Sequence, residues 1–333
     1  MMSEPKVGIQ LGATIAPEEI VDVAVQAEEL GYGEIWMAED YFQLGGISSV
    51  ATALAATTRI PVGLGVVAAG VRHPAVTAME FATLSATHRN RFMAGIGHGA
   101  TSWVKQMGLQ PDSPLGLLRE ATEAVAKLLG GGAVTKRGSY FTFDDVRLHR
   151  SPSTPPPIYL GVHGPASLRL SGEVADGTLL GWFSSPDYVA WARQRIDEGR
   201  TQGTRDDHHD LVVLCLLSIS DEEPAGARRD LGRWAAPMLA AMSKSPQLRF
   251  SNSGQELAAI IETDNQLLLA EGPPDRLLGD FVAAGDAASC AATIGNLLDA
   301  GADRVVLVPN PAGYRSTAGM LDQMGAAAVL TKG

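Results

Sequence analysis

The fold of this chain is decided by residues 60–97, IPVGLGVVAAGVRHPAVTAMEFATLSATHRNRFMAGIG. The pattern predicts an apolar strand over Ile60–Ala69, a helix over Pro74–Thr87 that begins with a proline, and a second apolar strand over Arg91–Gly97. A strand, a helix and a second strand in this order form the repeating unit of parallel sheets. We therefore expect a parallel α/β fold.

Strands and helices alternate on both sides of this unit. The other predicted strands are Val7–Gly12, Glu34–Glu39, Ile158–Val162, Gly177–Trp182, Leu211–Ser220 and Arg304–Pro309. Eight strand and helix pairs in 333 residues match the size and order of a (β/α)8 TIM barrel. A doubly wound sheet more often shows a change of composition between its halves, and this chain shows none.

We interpret residues 1–333 as a single barrel domain with two insertions. Residues 134–149 are polar and aromatic, with Gly138 near their middle, and predict an inserted β-hairpin. Residues 222–301 predict an extended helical region before the eighth strand. This region either covers the barrel mouth and shapes substrate choice or enlarges the outer helix layer.

Composition and charge exclude several classes of function. With 45% hydrophobic and 19% charged residues, the chain is globular. Its 37 acidic and 26 basic residues give a net charge of -11, which would repel a nucleic acid or an anionic membrane. Cys215 and Cys290 lack CxxC spacing, and no stretch reaches the roughly 18 apolar residues of a membrane helix. We expect a cytoplasmic protein without nucleic-acid or membrane partners.

The active site of a TIM barrel lies at the carboxyl ends of its strands, which names the candidate residues before any chemistry is assumed. They are Gln10, Glu39, Asp40, Val66–Ala69, His98, Val162–Gly164, Trp182, Ser184, Ser218 and Asn310. No metal-binding spacing occurs among them, and His208 with His209 precedes the seventh strand, where we expect both on the surface. A glycine-rich mouth with apolar walls is typical of a site for a large planar cofactor.

Residues 161–177, GVHGPASLRLSGEVADG, contain a candidate anion site. A buried strand ends in glycine and turns into a helix whose first turn is Pro165–Ser167, so free backbone N–H groups point outward. Gly164 would let a phosphate approach the main chain closely. The alternative is an ordinary strand-to-helix turn, since Gly-Pro turns are common.

Two carboxylates and one histidine are the candidate proton carriers. Glu39 and Asp40 end the second strand, and adjacent residues of a strand cannot share a face. We expect one of them in the mouth as a proton donor or hydrogen-bond acceptor and the other in the loop, unless both belong to a solvated acidic loop. His98 follows the fourth strand between two glycines, a position from which we expect it to face a ligand.

Taken in order, these pieces resemble the luciferase-like flavin and deazaflavin oxidoreductases. The resemblance is strongest to the branch that uses coenzyme F420 and is similar to methylenetetrahydromethanopterin reductase. The stretches that carry it are AEELGYGEIWMAED at 27–40, residues 57–99 from TTRIPVG to AGIGHG, and PPPIYLGVHGPASLRLSGEVADG at 155–177.

The resemblance implies a flavin-type ring at the strand ends, with its phosphate at the helix start near Gly164. It implies that the backbone of Val66–Ala68 forms a bulge, in many relatives with a non-proline cis peptide, against one face of the ring. The implied cofactor-binding residues are Val66, Val67, Ala68, His98, Val162, His163, Gly164, Pro165, Ala166 and Ser167. The implied substrate contacts are Gln10, Tyr41 and Trp182.

The expected reaction is hydride transfer between the deazaflavin C5 of F420 and a small organic substrate. Some relatives carry an acidic residue where this chain has Gln10 or Ala100, so Glu39 or Asp40 is expected to manage the proton. An FMN-dependent monooxygenase or reductase is the alternative, and a non-catalytic cofactor-binding barrel is a further one. The small residues of Ala51–Ala56 and Ala75–Ala82 suggest a homodimer.

Overall fold

The computed structural model describes residues 6–12, 15–88, 91–203, 207–310 and 317–332. The strands are β1 (Val7–Leu11), β2 (Ile35–Met37), β3 (Val62–Leu64), β4 (Val67–Ala68), β5 (Phe92–Gly97), β6 (Val134–Arg137), β7 (Thr142–Val146), β8 (Ile158–Gly161), β9 (Gly177–Leu180), β10 (Asp210–Ile219), β11 (Ala283–Gly285) and β12 (Arg304–Pro309). The helices are α1 (Ile20–Leu30), α2 (Gly46–Ala56), α3 (Pro74–Thr87), α4 (Thr101–Gln106), α5 (Pro114–Leu129), α6 (Pro165–Val174), α7 (Pro186–Arg200), α8 (Pro224–Ala241), α9 (Pro246–Arg249), α10 (Asn252–Glu271), α11 (Asp275–Leu278), α12 (Ala287–Asp299) and α13 (Thr317–Ala327).

Eight strands close into a parallel ring. The order around the ring is β1, β2, β3, β5, β8, β9, β10 and β12, and β12 pairs with β1 to complete it. Every one of these pairings is parallel, and helices follow the strands on the outside. The predicted (β/α)8 TIM barrel is confirmed.

The interior of the barrel contains two large aromatic side chains that pack against glycines. The rings of Trp36 and Tyr159 meet edge to face with centroids 5.3 Å apart. An ideal Cβ at Gly63 would lie 2.5 Å from the Trp36 ring, and one at Gly177 would lie 2.3 Å from the Tyr159 ring. Both glycines are therefore packing positions, since a side chain there would overlap an aromatic ring.

The third strand differs from the prediction. The continuous strand predicted over Ile60–Ala69 is divided into β3 and β4, and the peptide between Gly65 and Val66 is cis. β4 pairs with the end of β5, where Val67 is opposite Ile96. The division forms the bulge that the family resemblance implied.

Two further elements were not predicted. The short strand β11 pairs with the carboxyl end of β10 outside the ring, and the helix α4 follows β5. The sequence of β11 is only Ala-Ala-Gly, which has none of the β-branched or aromatic residues that mark a strand. The position of β11 is therefore set by packing rather than by the strand propensity of its own residues.

The two predicted insertions have defined places. β6 and β7 form an antiparallel pair within residues 134–149. Residues 222–301 contain α8–α12 and β11, and Trp234 of α8 lies 6.0 Å from Trp182 between ring centroids, which places α8 over the mouth. Among the described residues, no helix combines the length and apolar character needed to cross a membrane.

Candidate active site at the strand ends

A cleft of about 520 Å³ opens at the carboxyl ends of the ring, between the barrel and α8–α9. That volume is in the range of about 300–1,000 Å³ that small-molecule sites occupy. The lining residues are Gln10, Gly12, Ala38, Asp40, Gly65, Gly181, Trp182, Phe183, Leu214, Met238, Ala241, Met242, Gln247, Val308 and Pro309. The predicted candidates Gln10, Asp40 and Trp182 meet here from three different parts of the chain.

The two adjacent carboxylates have different surroundings. Both oxygens of Glu39 accept from Arg72, at 2.7 and 3.0 Å, and Oε2 also accepts from the Gly46 N–H at 3.1 Å. Asp40 lines the cleft, and burial raises the pKa of its carboxyl group. Glu39 is held in an ion pair with Arg72 and is not among the lining residues. Asp40 is therefore the remaining candidate for the residue that carries the proton.

The three predicted substrate contacts separate into two groups. Trp182 Nε1 donates to Gln10 Oε1 at 3.4 Å, so these two side chains form one wall of the cleft together. Tyr41 is outside the lining set, and its hydroxyl oxygen accepts from the Ala68 N–H at 3.1 Å. Tyr41 therefore supports the bulge between β3 and β4, and its contact with substrate stays a prediction.

The bulge forms the other wall. Gly65 lines the cleft, while Val67 and Ala68 are buried as part of β4. Ideal Cβ atoms at Gly97 and Gly161 would lie 2.6 and 2.8 Å from the Val66 side chain. These two glycines leave room for Val66 between the ends of β5 and β8, and they fix where the bulge lies.

The predicted anion site has an open approach. Gly164 is the N-cap of the ten-residue helix α6, and an ideal Cβ there would meet nothing within 4 Å. Pro165 and Ala166 are exposed, and Ser167 is half-buried. Val162 is buried in the core and His163 is exposed, and the His163 carbonyl accepts from the Tyr188 hydroxyl at 2.8 Å, which holds the main chain of this turn. The backbone N–H groups of the first turn remain available to an anion.

His98 joins the end of β5 to this helix start. Its Nε2 lies 3.0 Å from Ser167 Oγ, a contact that brings together two residues predicted separately. Burial of the ring and the neighbouring His163 lower the pKa of His98. The ring is therefore neutral at neutral pH and contributes a hydrogen bond rather than a charge.

The histidine pair before β10 lies at the opposite end of the barrel. His208 is exposed as predicted, but His209 is buried, with Nε2 2.9 Å from Thr178 Oγ1, so its predicted surface position is wrong. His208, Asp210 and Asp303 lie within metal-binding reach of one another. Arg193 and Arg304 already pair with the two aspartates at 2.6 and 2.8 Å, so this group is a charge network.

Sequence reasoning missed Arg72 as the partner of Glu39, and it missed the contribution of α8 and α9 to the cleft. Arg72 is 33 residues from Glu39 along the chain, so only the ring of strands brings them together. Met238, Met242 and Gln247 enter from the region whose pattern was least informative. The sequence pointed to these three residues only through the expectation that residues 222–301 cover the mouth.

Comparison with known proteins agrees with the family expectation. The family described as Luciferase-like monooxygenase matches residues 1–304. The chain is 27% identical to 5,10-methylenetetrahydromethanopterin reductase of Methanolobus tindarius over 86% of this chain and 89% of that protein. It is 31% identical to F420-dependent glucose-6-phosphate dehydrogenase of Intrasporangium calvum, over 72% of this chain and 77% of that protein.

The same fold is found among solved structures. The coenzyme F420 dependent tetrahydromethanopterin reductase of Methanopyrus kandleri superimposes with a TM-score of 0.79, at 24% identity, and covers 98% of each chain. That likeness confirms the barrel fold over nearly the whole length. With its barrel and the match over residues 1–304, the chain belongs to the luciferase-like monooxygenase family.

Proposed function

We propose that this protein is an F420-dependent oxidoreductase, which transfers a hydride between the deazaflavin C5 and a small organic substrate. The observation that carries the proposal is the open start of α6 at Gly164, beside the His98–Ser167 contact and at the same barrel end as the cleft. Relatives named for F420 or for a methanopterin reductase support the choice of cofactor.

The residues present fit such a cofactor at both of its ends. The N–H groups of Ala166 and Ser167, with the side chains of His98 and Ser167, would hold its phosphate. The bulge at Gly65 and Val66 would support one face of the ring. At Gly164 and Gly65 the ligand would lie against main chain, because neither residue has a Cβ.

The chain itself supplies orientation and proton control. A bound deazaflavin supplies hydride chemistry at C5, and the protein must place the substrate carbon beside it. Asp40 holds or accepts the substrate proton at a carboxylate oxygen, and its raised pKa makes the protonated form accessible closer to neutral pH. Trp182, Phe183 and Met238 exclude water from the same space.

The variant Gly164→Asp tests the phosphate position. A carboxylate at the start of α6 would repel a phosphate and fill its approach, so the F420 dissociation constant should rise at least about tenfold. Gly295→Asp is the matched control, since an ideal Cβ at that position of α12 also meets nothing within 4 Å. Titration of the protein with F420 and with FMN, followed by ring fluorescence, gives both affinities.

Three results would contradict the proposal. Unchanged F420 affinity in Gly164→Asp would move the phosphate elsewhere. Tighter binding of FMN than of F420 by the unaltered protein would favour the flavin alternative, because the same phosphate grip serves both cofactors. Tight F420 binding without oxidation or reduction of any substrate would favour the non-catalytic barrel.

We also propose that residues 1–333 form one domain that assembles as a homodimer through α2 and α3. Val76 and Met79 of α3 are exposed large apolar residues, and they line a groove of about 640 Å³ between α3 and the end of β7. Light scattering of the unaltered protein and of Met79→Glu would test this arrangement. The buried, unpaired Cys215 and Cys290 support a reduced cytoplasmic location.

A further inference from the structure

The walls of the cleft at the strand ends are almost entirely apolar. They include the side chains of Trp182, Phe183, Leu214, Met238, Met242, Val308 and Pro309. The polar side chains in the lining are Gln10, Asp40 and Gln247. Such a surface stabilises a ligand mainly by removing apolar area from water, and methionines adapt to its shape.

The charge of the cleft is unsuited to an anionic substrate. Among its described lining residues, Asp40 is the one charged side chain, and no lysine, arginine or histidine is present. Arg72, which follows β4, is paired with Glu39 through both of its terminal nitrogens. A phosphate ester needs cationic or multiple N–H donors, and the Asp40 carboxylate would repel it.

Gln247 contributes to the lining of this cleft a buried side-chain oxygen that has no hydrogen-bond partner in the described part of the chain. It belongs to α9, its side chain is 4% exposed, and its Oε1 has no hydrogen-bond partner among the described residues. Its main chain is fixed, because Ser251 Oγ donates to the Gln247 carbonyl at 3.0 Å. The other amide of the lining, Gln10, already accepts from Trp182.

An unsatisfied buried amide destabilises a folded protein, and most buried polar groups have partners. A ligand that supplies the missing hydrogen bond removes this cost when it binds. Gln247 therefore has three features expected of a residue that recognises a ligand. Its backbone is fixed, it lies in the cleft wall, and its side chain has an unused hydrogen-bond acceptor.

We propose that the cleft binds an uncharged, largely apolar substrate through a hydrogen bond to the Gln247 carboxamide, and that it excludes phosphate esters. This inference rests on the proposed function, since it names the substrate class for the same site. It separates this chain from its relatives named for glucose 6-phosphate.

The test compares two probes and two variants. The probes are 4-phenyl-2-butanol, an uncharged apolar alcohol, and glucose 6-phosphate, and their binding is measured by calorimetry with and without F420. The variants are Gln247→Leu and the control Gln255→Leu, which makes the same change on the exposed face of α10. Tm is measured for both.

With F420 bound, so that the start of α6 is occupied, the unaltered protein should bind the alcohol and should not bind the phosphate ester. Gln247→Leu should weaken alcohol binding about threefold to tenfold, the value of one neutral hydrogen bond. It should also raise Tm by about 1–4 °C, because an unsatisfied buried group is removed. Gln255→Leu removes only an exposed hydrogen bond from Gln255 Nε2 to the Arg249 carbonyl, so it should leave alcohol affinity unchanged and should not raise Tm.

Either of two results would overturn the inference: glucose 6-phosphate binding at least as tightly as the alcohol, or unchanged alcohol affinity in Gln247→Leu. The F420 titration separates this outcome from failure of the proposed function. Failure of F420 to bind, with the alcohol pattern as expected, would reject the cofactor and keep the substrate class. F420 binding without alcohol binding would do the reverse.

Discussion

Replacing Gly97 with alanine tests whether the bulge between β3 and β4 is held in place by the absence of side chains around Val66. An ideal Cβ at Gly97 would lie 2.6 Å from Val66 Cγ2 and 3.0 Å from the Gly161 carbonyl oxygen. Ordinary contacts of this kind begin at 3.4 Å, so Val66 would have to retreat by about 0.8 Å. A β-branched side chain has little rotamer freedom, so the backbone at Gly65 and Val66 would have to move.

Gly97→Ala is expected to lower both the stability of the fold and the activity of the enzyme. Overpacking of this kind destabilises the fold by about 1–3 kcal/mol. A displacement approaching 1 Å at the wall that supports the ring should reduce kcat/KM by about 100-fold. Urea denaturation measures the first quantity, and steady-state kinetics with F420 measure the second.

The double variant Gly97→Ala with Val66→Ala is the control for this reasoning. Removing the Val66 methyl groups removes the clash, so part of the lost activity should return even though the cavity itself costs stability. Gly181→Ala places the same methyl group where nothing lies within 4 Å, and it should be neutral for stability. Near-normal activity in Gly97→Ala, or no recovery in the double variant, would refute the role given to Val66.

Two further substitutions test the carboxylates. Asp40→Asn should lower kcat by about 100- to 10,000-fold and remove a titration from the pH–rate profile; a profile that keeps all its pKa values would exclude Asp40. Burial raises the pKa of Asp40, so the folded protein loses stability as pH rises from the ordinary aspartate range through that raised pKa. Asp40→Asn should therefore have a higher Tm than the unaltered protein at pH 7. The difference in Tm should disappear near pH 4. Arg72→Met should destabilise the protein by about 2–4 kcal/mol in urea denaturation, because the buried Glu39 loses its cation. Adding Glu39→Gln to this variant should restore part of the lost stability. An unchanged denaturation midpoint in Arg72→Met would mean that the ion pair does not stabilise the fold.

Much of the barrel was predictable because each strand carries its own signal. The long apolar run of β10 and the proline starts of α3, α6 and α7 are local features, and the structure places these elements where the pattern indicates. The break between β3 and β4 was predicted through the family resemblance, which implied a bulge at Val66–Ala68. Its cause is contact with Gly97 and Gly161, which belong to other strands.

The candidate site was predictable in part for the same reason. Gln10, Asp40, Trp182 and Gly164 could be named because the fold places strand ends together. The engagement of Glu39 by Arg72 could not, because it depends on side-chain direction across 33 residues of sequence. Gln247 could not be predicted either, since nothing in the pattern of α9 shows which barrel surface it meets.

The central claim is that the first turn of α6 grips the cofactor phosphate while the ring lies in the cleft at the carboxyl ends of the strands. A crystal structure of the protein with bound F420 tests it most directly. The phosphate oxygens should lie about 3 Å from the N–H groups of Ala166 or Ser167, and the ring should lie beside Gly65 and Asp40. A ring found at the amino ends of the strands, or a phosphate away from α6, would contradict it.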